Sequence, residues 1–193
     1  YIYALKGIAW IAYSRDHDAA EASRILHYIL SQTKMPELWL QLAEIKDWEG
    51  SLKEKISYQE KFLLELSKPA YGGMYNKYLL DLYAGEMHEL DKALTIAWQE
   101  VKQRPTPETY DWLAWVYFLK GELDEAWRLN QNYVAGKNFE PDAIYHSALI
   151  CQAKGKKKEA RKMLEECLES SFELGPKTTA EIKSKLAVFD QVH

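Results

Sequence analysis

Cysteine is scarce in this sequence: Cys151 and Cys167 are the only two in 193 residues. Two thiols build no disulfide framework, so the chain must hold itself together by packing. Both cysteines fall in apolar stripes of helical spacing, the setting of buried structural thiols rather than reactive ones. No apolar run approaches the roughly 18 residues that a membrane span needs. Strong charge of one sign is also missing, the net charge being −4. Phosphate binding asks for clustered positive charge, so no nucleic-acid partner is expected. Sustained two-residue alternation, the mark of strands, occurs nowhere.

Motifs that carry chemistry are missing as well. There is no phosphate-cradling glycine loop, Gly72-Gly73 alone carrying no such signal. No serine stands in a nucleophile elbow. The histidines are His17, His27, His88, His146 and His193, and no two lie three or four apart, so no helix offers one metal two ligands. Acid pairs such as Glu165-Glu166 and Asp16/Asp18 fall on exposed stripes or in turns. The expectation is therefore no catalysis, no cofactor and no metal. The chain begins at Tyr1 rather than Met, which reads as a piece of a longer protein. Its compartment, cytoplasm or bacterial cell envelope, stays open.

What the sequence has is enough apolar residues for a core, 47%, and a period. Five stretches resemble one another, beginning at Ile8, Leu42, Leu79, Leu113 and Ser147, with spacings of 34, 37, 34 and 34 residues. Each is followed by a turn and a second amphipathic segment, most clearly Lys120-Gly121-Glu122-Leu123 and Lys154-Gly155-Lys156-Lys157. Glycine there permits a left-handed helix end. Ala22, Ala93, Ala126 and Ala160 mark a matching place in the second segments, where a small side chain lets helices approach, and Lys55 breaks the rule in the second repeat. Apolar spacing of three and four means helix. Pro36, Pro105, Pro107, Pro141 and Pro176 fall at boundaries, where proline is tolerated. Helix pairs are thus expected at about 3–36, 36–69, 74–106, 107–140 and 141–174. A last helix follows at about 177–190, with Ile182, Leu186 and Phe189 on one face covering the final repeat. Longer turns are expected at Arg15-Asp16-His17-Asp18 and around Met87-His88, and a longer link at Pro69-Ala70-Tyr71-Gly72-Gly73.

Leu113, Ala114, Tyr117, Gly121 and Ala126 in the fourth repeat, Trp39, Leu42, Ala43 and Gly50 in the second, and Pro105 ending the third give the chain its likeness. It resembles the tetratricopeptide repeat family over nearly its whole length, and more loosely the C-terminal half of longer bacterial repeat proteins. Lys46 departs from the pattern where an aromatic is usual. The resemblance implies an all-α, right-handed solenoid of about five helix–turn–helix repeats plus a C-terminal capping helix, one array over 1–193. It implies a protein-binding scaffold, since the family serves many partners.

In such arrays the first helix of each pair lines the concave face. That register places Trp10 and Tyr13, Glu44 and Asp47, Asp81 and Ala84, Trp115 and Phe118, and Leu149 and Gln152 on the groove. One and two turns earlier lie Lys6, Leu40, Lys77, Asp111 and Tyr145, then Tyr3, Glu37, Met74, Glu108 and Asp142. The expected partner-binding set is Tyr3, Trp10, Tyr13, Glu44, Asp47, Lys77, Asp81, Asp111, Trp115, Phe118 and Tyr145. Acids outnumber lysines and rings are interspersed, which suits a peptide or helix with apolar anchors and some positive charge. A clamp for a partner's C-terminal carboxylate is not expected: Lys6 fits its first place, but Trp10, Gln41, Met74 and Tyr78 do not fit the others. The basic run from Lys154 to Lys162 reads as a solvated turn. Two rival readings remain, an architectural or self-associating segment and an enzyme on a helical scaffold. The second would need a pocket of convergent, perturbed groups.

Overall fold

The computed structural model describes residues 1–68 and 70–190; Pro69 of the expected link and the terminal residues 191–193, His193 among them, lie outside the described residues. The described residues form eleven α-helices and no strand. They group into two compact units: Tyr1–Tyr75 with Gly175–Thr178, and Asn76–Leu174 with the residues from Thr179 on.

In the first unit α1 (Ile2–Ser14) pairs with α2 (Ala19–Gln32), and α3 (Glu37–Trp48) with α4 (Leu52–Leu66). Ala22, Leu26, Ile29, Leu38 and Leu42 are sealed between them, each large side chain contributing about 1.5–3 kcal/mol of burial. In the second unit α5 (Asn76–Asp81) pairs with α6 (Leu90–Gln103), α7 (Pro107–Leu119) with α8 (Leu123–Leu129), and α9 (Pro141–Ala153) with α10 (Lys157–Glu169). The alanines Ala22, Ala93, Ala126 and Ala160 are all at 0% exposure, so each pair closes to a distance that a longer side chain would prevent. Helix starts follow local chemistry. Thr106 and Thr109 make a reciprocal capping box before Pro107, and Asp18 accepts from the Glu21 N–H at 2.9 Å.

The turns inside the pairs are of two kinds, and the longer kind falls in the first and third repeats, as expected. After α3, α7 and α9 the left-handed place is taken by Gly50, Gly121 and Gly155. The next N–H returns to a carbonyl five residues back: Ser51 to Lys46, Glu122 to Tyr117 and Lys156 to Cys151, at 2.8–2.9 Å. After α1 and after the π-helical turn Leu82–Glu86 that continues α5, the same place is taken by His17 (φ 55°) and His88 (φ 52°). There the closing bond spans six residues, Asp18 to Ala12 and Glu89 to Tyr83, both 2.8 Å. One extra residue is thus absorbed by a wider turn and the helix pair keeps its packing.

A second π-helical turn, Asn130–Val134, continues α8. It brings Asn130, fully buried, to donate to Ser147 Oγ of α9 at 2.6 Å. The last helix, α11 (Ser171–Asp190), breaks at Gly175 (φ 76°, ψ 170°) and resumes at Pro176. Its Ile182, Leu186 and Phe189 pack with Tyr145, Leu149, Leu164 and Cys167, covering the core of the last helix pair.

Candidate functional site

The expected binding residues lie on two faces, one in each unit. In the first unit Trp10 and Tyr13 meet edge to face at 5.6 Å. Tyr13 is buried. Burial first, and then the carboxylates of Glu44 and Asp47, push its phenol above the ordinary range. Asp47 accepts from Lys55 at 3.0 Å and from Lys177 at 2.6 Å. Burial pushes its carboxyl up, but the bonds from Lys177 and Lys55 outweigh that and hold it below the usual carboxylate range. Lys55, the residue that breaks the alanine rule, therefore has a partner on the facing helix. Gly175 is also part of this unit. A Cβ at that position would stand 3.1 Å from Trp10 Cη2 and 3.2 Å from Glu44 Oε1, so the backbone lies directly on the indole and the carboxylate. The chain's own Gly175 and Lys177 thus rest on the face formed by Trp10, Glu44 and Asp47. Elsewhere in this unit Lys6 donates to Glu37 at 3.0 Å, tying α1 to α3, while Tyr3 stands out in solvent at 80% exposure.

In the second unit Trp115 stacks on the His146 ring at 4.1 Å and on Phe118 at 5.3 Å. With Tyr145, Leu149 and Gln152, Trp115 and Phe118 border an open cavity of about 450 Å³, closed on one side by Glu181 and Lys185 of α11. The Tyr145 hydroxyl donates to Glu181 at 3.0 Å. Burial, then the Glu181 charge, raises that phenol. Toward the starts of the same helices lies a polar cavity of about 420 Å³, bordered by Lys77, Glu108, Asp111, Trp112 and Asp142 among others. Lys77 donates to Asp81 at 2.5 Å and stands over the Trp112 ring at 5.9 Å. Desolvation works against the charge on Lys77, but the carboxylates of Asp81, Asp142 and Asp111 outweigh it, so its pKa is raised. Asp111 is buried, and its Oδ2 lies 2.9 Å from His146 Nδ1. Among the described residues no donor reaches its other oxygen. Asp81 is exposed.

Sequence periodicity places these residues on their helices but misses Gly175, Pro176, Lys177 and Glu181 as their neighbours. The helix break at Leu174-Gly175-Pro176 is the one visible signal that the backbone there does something other than continue. No group of three or more His, Cys, Asp or Glu side chains that could hold a metal occurs among the described residues. No helix among them is long and apolar enough to cross a membrane.

Residues 141–173, α9 and α10 with their flanks, match the tetratricopeptide repeat family. The fold is similar to that of a thermophilic TPR protein of Thermus thermophilus, with a TM-score of 0.61 and 18% identity over 97% of this chain and 98% of that one. The chain has the tetratricopeptide repeat fold. None of the curated proteins matches it. The tetratricopeptide repeat fold is in general a protein-interaction module and typically a scaffold rather than a catalyst. The α7–α8 turn, closed by Gly121, and the α9–α10 turn, closed by Gly155, repeat one geometry in this protein, as stacked units of a repeat fold do.

Proposed function

We propose that this tetratricopeptide repeat protein is a binding module without catalysis, which holds a partner peptide or helix on the exposed faces of its first helices. The observation that carries this reading is the Trp115 shelf. Trp115 and Phe118 are only partly buried, yet they are fixed by stacking on each other and, for Trp115, on His146, beside an open cavity bordered by Tyr145 and Leu149. Rigid, half-exposed rings over a concavity are the chemistry of an anchor pocket, because covering them releases water at little cost in side-chain entropy. Glu181 borders the shelf, and Glu108 and Asp142 border the neighbouring cavity at the starts of the same helices; these acids favour a partner that brings positive charge beside its apolar anchor.

Trp115→Ala/Phe118→Ala tests this. Partner capture and affinity are measured for both forms, with circular dichroism as the folding control. Loss of a central aromatic anchor costs on the order of 2 kcal/mol, about 30-fold in affinity. A folded variant that holds the same partner as tightly as the parent chain overturns the reading. So does a variant whose melting point collapses while binding persists. A self-associating scaffold would instead show mass rising with concentration in sedimentation, with no external partner needed.

A further inference from the structure

The face formed by Trp10, Glu44 and Asp47 differs from the Trp115 shelf in one respect: it already carries a peptide, the chain's own Gly175-Pro176-Lys177. Gly175 and Lys177 match what they touch, and Pro176 between them is buried. At position 175 the backbone has φ 76° and would put any Cβ against the Trp10 ring and Glu44 Oε1, so only a residue without a side chain rests there unstrained. Pro176 brings no N–H that needs a partner when water leaves. Lys177 supplies positive charge for Asp47, at 2.6 Å.

We infer that this face is a recognition site for an extended protein segment carrying a small residue, a proline and then a basic residue, and that residues 175–177 occupy it in cis until such a partner displaces them. The inference rests on the reading of the first-helix faces as binding surfaces. The cis segment is a short ligand held at high local concentration. Its contacts include the ion pair to Asp47 and the close approach of backbone to the indole and to Glu44, and its effective concentration is on the order of millimolar, as for a closely tethered segment. A partner in trans must out-compete it, so the free affinity of the face is masked in the intact chain. The masking is lifted by any change that weakens the cis contact and leaves Trp10, Glu44 and Asp47 untouched.

The probe is a fluorescein-labelled peptide with the sequence from Phe172 to Ala180, titrated by fluorescence anisotropy with the full chain. Two variants loosen the cis segment by unrelated means. Lys177→Glu sets a like charge against Asp47. Gly175→Ala drives a methyl into Trp10 and strains the backbone. Both should keep the parent's circular dichroism spectrum and bind the peptide at least about tenfold tighter than the parent chain. A peptide with glutamate in place of its lysine should lose about tenfold or more on both. Adding Asp47→Lys to the Gly175→Ala chain should abolish binding of the original peptide. Folded variants that bind no tighter than the parent overturn the inference, as does equal binding of the glutamate peptide, which would mean non-specific apolar contact. If the labelled peptide fails while Trp115→Ala/Phe118→Ala still loses its partner, this inference alone falls. If the peptide binds as expected while that variant keeps its partner, the Trp115 shelf alone falls.

Discussion

Asp47 is bonded by two lysines of different origin, which makes a double-mutant cycle informative. Lys55 reaches it from α4 and is only 12% exposed, Asp47 itself being 24% exposed; Lys177 comes from the C-terminal segment and is 39% exposed. A half-buried charge-assisted bond is worth about 1 kcal/mol, and the more open Lys177 bond, screened by solvent, about 0.5 kcal/mol. Lys55→Ala should therefore cost about 1 kcal/mol, offset slightly by the better helix propensity of alanine, and Lys177→Ala about 0.5 kcal/mol. Together they should cost about 2.5 kcal/mol, because only the double variant strips the carboxylate of both lysines and leaves it desolvated. The assay is urea unfolding followed by circular dichroism, where the double variant's midpoint should fall by about 1 M. The same cycle has a pH signature. The folded carboxyl titrates below its unfolded value near 4, so its contribution is complete above that value and is lost as pH falls through the folded pKa. The difference between parent and double variant should shrink on acidification below about pH 4. Additivity to within about 0.3 kcal/mol at pH 7 would refute the shared-carboxylate account.

His88→Gly should stabilise the protein by about 0.5–1 kcal/mol, because position 88 is left-handed and glycine adopts that conformation freely. Gly121→His should cost about 1 kcal/mol for the same reason, since nothing near Gly121 obstructs a side chain and only the backbone objects; thermal melts read both, and a destabilising His88→Gly refutes the turn assignment. Ser147→Ala removes the acceptor of the buried Asn130 amide and should cost about 1–3 kcal/mol in urea unfolding, a neutral result showing that the bond is not formed. Burial, then Glu166 and Asp142, pushes the Cys167 thiol up to about 12, and burial raises Cys151 as well. Neither should react with a disulfide reagent at about pH 8 in the native state, and both should react in denaturant; rapid native labelling would place a thiol at the surface.

The helical repeat was legible because its causes are local. A 34-residue spacing, alanines at the closest helix contact and glycines at left-handed positions all leave their mark in neighbouring residues, and the helix pairs carry them as sealed alanines and positive φ at Gly50, Gly121 and Gly155. The histidine turns were legible only as extra length. A glycine announces a left-handed residue, but His17 and His88 do so only once the six-residue bonds to Ala12 and Tyr83 are seen. Lys55 shows the same limit from the other side. As a broken alanine rule it was visible at once, yet its reason is a carboxylate on the facing helix, at a position that the repeat pattern treats as groove.

The site was legible by helix face and illegible by neighbour. A periodicity argument assigns Trp10, Glu44 and Asp47 to one stripe because about 3.6 residues make a turn, and it stops there, since it has no access to residues far along the chain. Lys177 meets Asp47 across 130 residues, a separation at which no spacing rule operates. Composition nevertheless held a usable hint. The stripe reading asked for a ligand with an apolar anchor and positive charge, and Pro176-Lys177 next to a glycine is a segment of that kind within the chain itself. On the reading proposed above, the face takes that chemistry from a segment of the chain itself. A proposed recognition stripe in a repeat protein should therefore be matched first against the chain's own segments, since tethering makes even a weak complement an effective ligand.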